Sequence, residues 1–122
     1  TVKKKYRFLV ALDQRGTAMR ALEEAAQLAR QLDATLMILH VDESGEAAPL
    51  VSMLYDSNRY LISDVEHNLV IGGGNPVKGI IQSAISDDID MIFMGKGTPS
   101  TSASDITPKV LEQSPVPVIV VS

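Results

Sequence analysis

The chain has 122 residues, with 15 Asp and Glu against 11 Lys and Arg and a formal charge of −4. That length suits one domain whose core needs no cross-links, and the lack of cysteine excludes disulfides and thiolate-held zinc. Aromatic residues are only 4% of the chain, and an acidic chain without stacking platforms is a poor nucleic-acid binder.

No apolar run reaches the length of a bilayer span, and no charged-then-apolar signal opens the chain. The expectation is one soluble, cytoplasmic domain over residues 1–122, and the missing cysteines fit a reducing compartment. The chain starts with Thr1 rather than Met, which points to a removed initiator or to a piece of a longer protein. Lys3, Lys4, Lys5 and Arg7 form one basic cluster, read as a solvated entry to the first strand that discourages edge pairing.

"YRFLVALD" (Tyr6 to Asp13) is a short apolar run closed by an acid, hence strand one. The period then changes. Ala18, Ala21, Leu22, Ala25, Leu28, Ala29 and Leu32 recur at helical spacing, with Gly16 or Thr17 to start that helix and Asp33 at its end. "ATLMILHV" (Ala34 to Val41) is strand two, continuously apolar as in sheets covered on both faces. After a polar loop, Leu50, Met53, Leu54, Leu61 and Ile62 make a rough helical stripe interrupted by Asp56-Ser57-Asn58, read as a short or broken helix.

"HNLVIG" is strand three, and Gly72-Gly73-Gly74 turns the chain toward helix three, with Asn75 as N-cap and Pro76 at the first position. "DMIFMG" is strand four. The next helix, "TPKVLEQS", has Thr107 as N-cap, or Ser104 or Asp105 if it begins a turn earlier. "VPVIVV" is strand five, where Pro115 and Pro117 suit an edge. Strands alternating with helices predict an α/β three-layer sandwich with a parallel sheet, and in such sheets ligands bind beyond the carboxyl ends of the strands.

The loop after strand four invites a phosphate reading. Gly95 and Gly97 let backbone amides approach an anion, Lys96 adds a charge, and Ser100, Thr101, Ser102 and Ser104 add hydroxyls before a helix N-terminus. A solvated connection has the same composition, and the spacing is not that of a P-loop.

"VALD", "HV", "GNP" and "MGKG…PVPVIVV", in this order, resemble the universal stress protein family over nearly the whole chain. The resemblance implies a five-stranded parallel sheet ordered 3-2-1-4-5 and a homodimer through the last strand, Val116 to Val121. It also implies an adenine nucleotide, ATP or AMP, with no metal called for. Asp13 would contact the nucleoside and the main chain of Val41 the adenine. Ala11 and Met94 would line the pocket at the ends of strands one and four. Gly95, Gly97, Ser102, Ser104 and Asp105 would lie along the phosphates.

One branch of the family carries G-x2-G-x9-G-[ST] in this loop. Here Gly97 comes one position early, and the closing Gly-Ser falls on Ser104-Asp105, whose acid repels extra phosphate charge. Two readings follow. One is a regulatory domain that binds a nucleotide and signals to a protein partner or a fused transporter, without turnover. The other is a nucleotide-independent interaction module whose Ser/Thr loop is a connector or a phosphorylation site.

Nothing calls for an enzyme. His40, a strand-end histidine two residues from an acid, reads as hydrogen-bonded structure, His67 lies at the start of strand three, and no metal or nucleophile motif is present. Asp87, Asp88 and Asp90 read as solvated turn acids, and Met37, Met53, Met91 and Met94 as core filler.

Overall fold

The computed structural model describes residues 5–12, 16–96 and 106–122. In chain order these form β1 (Arg7–Ala11), α1 (Gly16–Leu32), β2 (Thr35–Asp42), α2 (Ala48–Asn58), β3 (His67–Gly73), α3 (Pro76–Ser86), β4 (Met91–Gly95), α4 (Ile106–Gln113) and β5 (Val118–Val121). All strand pairs are parallel, in the order β3-β2-β1-β4-β5. Fold and strand order are those expected from the sequence.

Strand side chains alternate between two cores. Phe8, Val10, Leu36, Ile38 and Phe93 face α1 and α2, while Leu9, Leu39, Ile92 and Met94 face α3 and α4. The α1 side is rich in small residues. Ala18, Ala21, Ala25, Ala26 and Ala29 are buried, so that helix lies close to the sheet. The Phe8 and Phe93 rings meet with centroids 5.5 Å apart, a tilted pair worth about 0.5–1.5 kcal/mol beyond its buried area.

Two helices end in the same way. Asp33 and Asp88 take left-handed backbone angles, φ 53° and 58°, one residue beyond the helix caps. The following amides, Ala34 and Ile89, return to Ala29 O and Ala84 O at 2.9 and 3.0 Å. This is the Schellman closure, with an aspartate where glycine is commonest. Asp90 departs from the reading as a solvated acid: its Oδ2 accepts from Arg7 N–H at 2.9 Å and its own N–H donates to Arg7 O at 2.8 Å. It stitches the start of β4 to β1.

Three further expectations change. Asp56-Ser57-Asn58 does not interrupt α2 but ends it, with Asn58 Nδ2 donating to Leu54 O at 2.8 Å before a 3-10 turn at Arg59–Ile62. Of the apolar stripe, Leu50 and Met53 point outward at 44% and 64% exposure while Ile62 is buried, and Val51, outside that stripe, supplies the buried side chain of α2. Met53 is therefore no core filler. Strand five begins only at Val118, because Pro117 can offer Ile92 its carbonyl, at 3.0 Å, but no N–H.

Candidate functional site

The chain winds outward from β1 to β2 and β3, then crosses back to β4 on the other side of β1. The order reverses between β1 and β4, where open parallel sheets form ligand crevices. Ala11 closes β1 in register with Met94, one residue before the end of β4 at Gly95. Of the expected pocket residues, Ala11, Met94 and Gly95 are brought to this one place, and Val41 lies on the neighbouring strand. Asp13, Gly97, Ser102, Ser104 and Asp105 lie outside the described residues.

Val41 stands two residues past Leu39, the partner of Ala11. Odd-numbered residues of β2 turn their main-chain groups toward β1: Thr35 N–H donates to Tyr6 O at 3.0 Å. Even-numbered ones turn toward β3, as Leu36 N–H does to Glu66 O at 2.9 Å. The last β1 rung runs from Leu12 N–H to Leu39 O, 2.8 Å. By this alternation the main-chain groups of Val41 face the β1 side beyond that rung.

His40 occupies the same corner. It is 6% exposed, and its Nδ1 lies 2.8 Å from Leu12 O. A carbonyl only accepts, so Nδ1 carries a proton and donates it to Leu12 O. Nε2 has no hydrogen-bond partner among the described residues and stands 3.7 Å from Asp42 Oδ2. Asp42 is itself committed. Its Oδ1 accepts from Ser44 N–H at 3.1 Å and Ser44 Oγ–H at 3.0 Å, and its Oδ2 from Ala47 N–H at 2.9 Å. These donors, Ala47 N–H foremost, hold its carboxyl below the usual carboxylate range and shape the loop into α2.

Helix α3 closes on the same residue from the other face. A Cβ added at Gly79 would stand 2.8 and 3.0 Å from the two Cγ atoms of Val41, the first closer than real contacts allow and the second at their tight limit. Glycine inside a helix costs about 1 kcal/mol relative to alanine. Here it admits α3 to the end of β2, and Asn75 starts that helix as expected, its Oδ1 accepting from Lys78 N–H at 3.0 Å. The role of Gly79 was open to sequence reasoning, since a glycine within a helical pattern signals a close approach.

On the β4 side, Thr107 is not the N-cap, because α4 is already helical at Ile106, in line with the alternative of an earlier start. It lies inside α4, buried, and its Oγ1–H donates to Gly95 O at 3.2 Å. Lys96 N–H continues the ladder to Val121 O at 2.9 Å. His67, at the amino end of β3, donates from Nδ1 to Val65 O at 2.7 Å and places Nε2 2.9 Å from the Tyr55 hydroxyl. Among the described residues no group of three or more His, Asp or Glu is placed to hold a metal, and no helix is long and apolar enough to cross a membrane.

Known proteins share this fold. Universal stress protein UspA from Lactobacillus plantarum is 25% identical, with a TM-score of 0.77 over 99% of this chain and 100% of that one. A universal stress protein from Archaeoglobus fulgidus DSM 4304 is 29% identical with a TM-score of 0.77, covering 95% of this chain but 43% of that one. Another from Archaeoglobus fulgidus, solved in complex with dAMP, is 19% identical with a TM-score of 0.78 over 98% of both chains. A comparison with curated protein sequences gave no significant match. The Universal stress protein family matches residues 6–122, nearly everything from the first strand to the last, and the chain belongs to that family.

Proposed function

We propose that this chain is a regulatory domain that binds an adenine nucleotide at the carboxyl edge of the sheet, without significant turnover. The observation that carries this reading is the position of Val41, whose main chain faces the strand-order reversal beyond the last β1–β2 rung. A main-chain N–H beside a C=O offers one donor and one acceptor, which the edge of a purine base complements. Ala11 and Met94 would line the pocket, Asp13 would take the ribose, and the phosphates would lie over Gly95, Gly97, Ser102 and Ser104. Members of the same fold have been solved with cAMP, with dAMP and with AMP, which supports the nucleotide class.

AMP fits this chain at least as well as ATP, because Asp105 adds negative charge where further phosphates would run. The proposed domain acts in the cytoplasm as a homodimer, signalling to a protein partner or a fused transporter. Strand β5 ends the sheet, and its Ile119 and Val120 are 36% and 37% exposed; such an edge calls for a partner strand. Sedimentation at micromolar concentration should give a dimer mass. A monomer would remove the β5 interface.

Native mass spectrometry of protein purified without ligand, followed by calorimetric titration with ATP, AMP and a cyclic dinucleotide, tests the nucleotide reading. A retained or titratable mononucleotide is expected. The second reading, a nucleotide-independent interaction module, is favoured by Ser104-Asp105 in place of a closing Gly-Ser. A dimer that ignores all three ligands would establish it.

A further inference from the structure

We propose that His40 is a positioning residue that keeps the main chain of Val41 open to a nucleotide base; the proposal rests on the nucleotide reading above. If the β1–β2 ladder ran one rung further, the N–H of Val41 would donate to Leu12 O. That oxygen is taken instead by His40 Nδ1–H at 2.8 Å, and no main-chain bond from Val41 to it accompanies the ring contact. The side chain next in sequence to Val41 thereby holds Leu12 O off the ladder and leaves the Val41 amide without that partner. The Val41 side chain is already engaged with α3 at Gly79, so the main chain is what this residue has left to offer.

The burial of His40 gives the arrangement its rigidity. The ring is enclosed on a sheet strand, at 6% exposure, and leaves Nε2 without a partner among the described residues. Among the described residues Nδ1 is the ring nitrogen with a hydrogen bond, so that contact orients the ring. Leu12 directly precedes Asp13, so the same hydrogen bond also ties down the residue before the proposed ribose contact.

The test uses wild type, His40→Asn and His40→Leu. Asparagine places an amide N–H near the Nδ1 position, whereas leucine fills the volume and offers no donor. Without ligand, the Val41 amide should exchange rapidly with solvent in wild type and His40→Asn. In His40→Leu it should slow about tenfold or more, as Leu12 O, no longer held by the ring, comes back into line with the ladder. AMP affinity should fall about tenfold in His40→Leu and stay within about threefold of wild type in His40→Asn, tenfold being about one hydrogen bond's worth.

Urea unfolding of each variant separates a local change from general loosening. Unchanged Val41 exchange across the three proteins overturns the proposal. Equal loss of AMP affinity in both variants also overturns it, since rescue by the donor-bearing side chain is then absent. If wild type takes up no AMP, the nucleotide reading falls, and the exchange data alone decide whether His40 stops the ladder.

Discussion

The two ends of the sheet handle polar groups in opposite ways. At the amino end, Lys5 lies 3.5 Å from Glu66 and 3.9 Å from Asp33, and Arg30 grips Asp64 at 2.7 and 3.0 Å while also donating to Leu61 O at 2.5 Å. These side chains are well exposed, Asp33 to 95%, and they line a water-accessible cleft of about 340 Å³. At the carboxyl end, three buried or half-buried polar side chains among the described residues are tied to main chain: His40 to Leu12, Asp42 to Ser44 and Ala47, Thr107 to Gly95. Exposed ion pairs are screened and contribute little, whereas a buried polar group without its partner carries its full desolvation cost. The amino end is therefore tolerant surface. At the carboxyl end, the bonds of these three side chains hold strand ends and loops in place.

Substitutions can break that contrast, and the largest effect is expected at Gly79. Gly79→Val drives a branched side chain into Val41, and overpacking of this kind costs about 1–3 kcal/mol, read as a lower urea midpoint. In a Val41→Ala background the loss should shrink, because the atoms it would strike are gone. An equal loss in both backgrounds would mean that the close approach of α3 is not what the glycine serves.

Thr107→Val keeps the shape and removes the bond to Gly95 O, so a loss of about 1 kcal/mol is expected. Unchanged stability would show that β4 and α4 are joined by apolar packing alone.

The effect of Asp42→Asn should be smaller and depend on pH. The folded carboxyl sits below its unfolded value, so its contribution is fully present above the ordinary carboxylate range and is lost as pH falls through the folded value. Urea midpoints of wild type and variant should differ at pH 6 and converge as pH drops below about 4, near the ordinary carboxylate value. A gap independent of pH would show that the ionised carboxylate is not what holds the loop into α2.

Arg30→Gln should matter least. Asp64 is likewise held below its usual range, chiefly by the Arg30 side-chain hydrogen bonds, but both groups face solvent. The variant should unfold with wild type at 0.15 M salt and separate from it only at low ionic strength. A large loss at both would overturn the view of the amino end as tolerant surface.

Much of the fold was legible because its signals are local. The switch from continuous apolar runs to the spacing of Ala18, Ala21, Leu22 and Ala25 marks strand and helix, and Asn75-Pro76 marks a helix start that the Lys78 amide confirms. The failures came where a local signal competes with packing. Thr107 carries the chemistry of an N-cap, but the end of β4 supplies a carbonyl within its reach. Met53 is apolar and helical, yet it lies on the outer face of α2, and composition does not say which face a helix buries. At the candidate site, Ala11, Met94 and Gly95 were legible as strand ends, because ligand position in such folds follows topology. The part played by His40 was not.

Period, turn chemistry and charge in the sequence alone determined the class of fold, the order of its elements and the end of the sheet where a ligand would sit. They act over a few residues and survive any tertiary arrangement. The tertiary structure alone decided that the ring of His40 reaches Leu12, 28 residues away, that α3 touches Val41 through Gly79, and that Asp90 binds Arg7 across 83 residues of chain. Those contacts depend on register and on distances of a few tenths of an ångström between distant segments. Such distances are set only when the whole core packs.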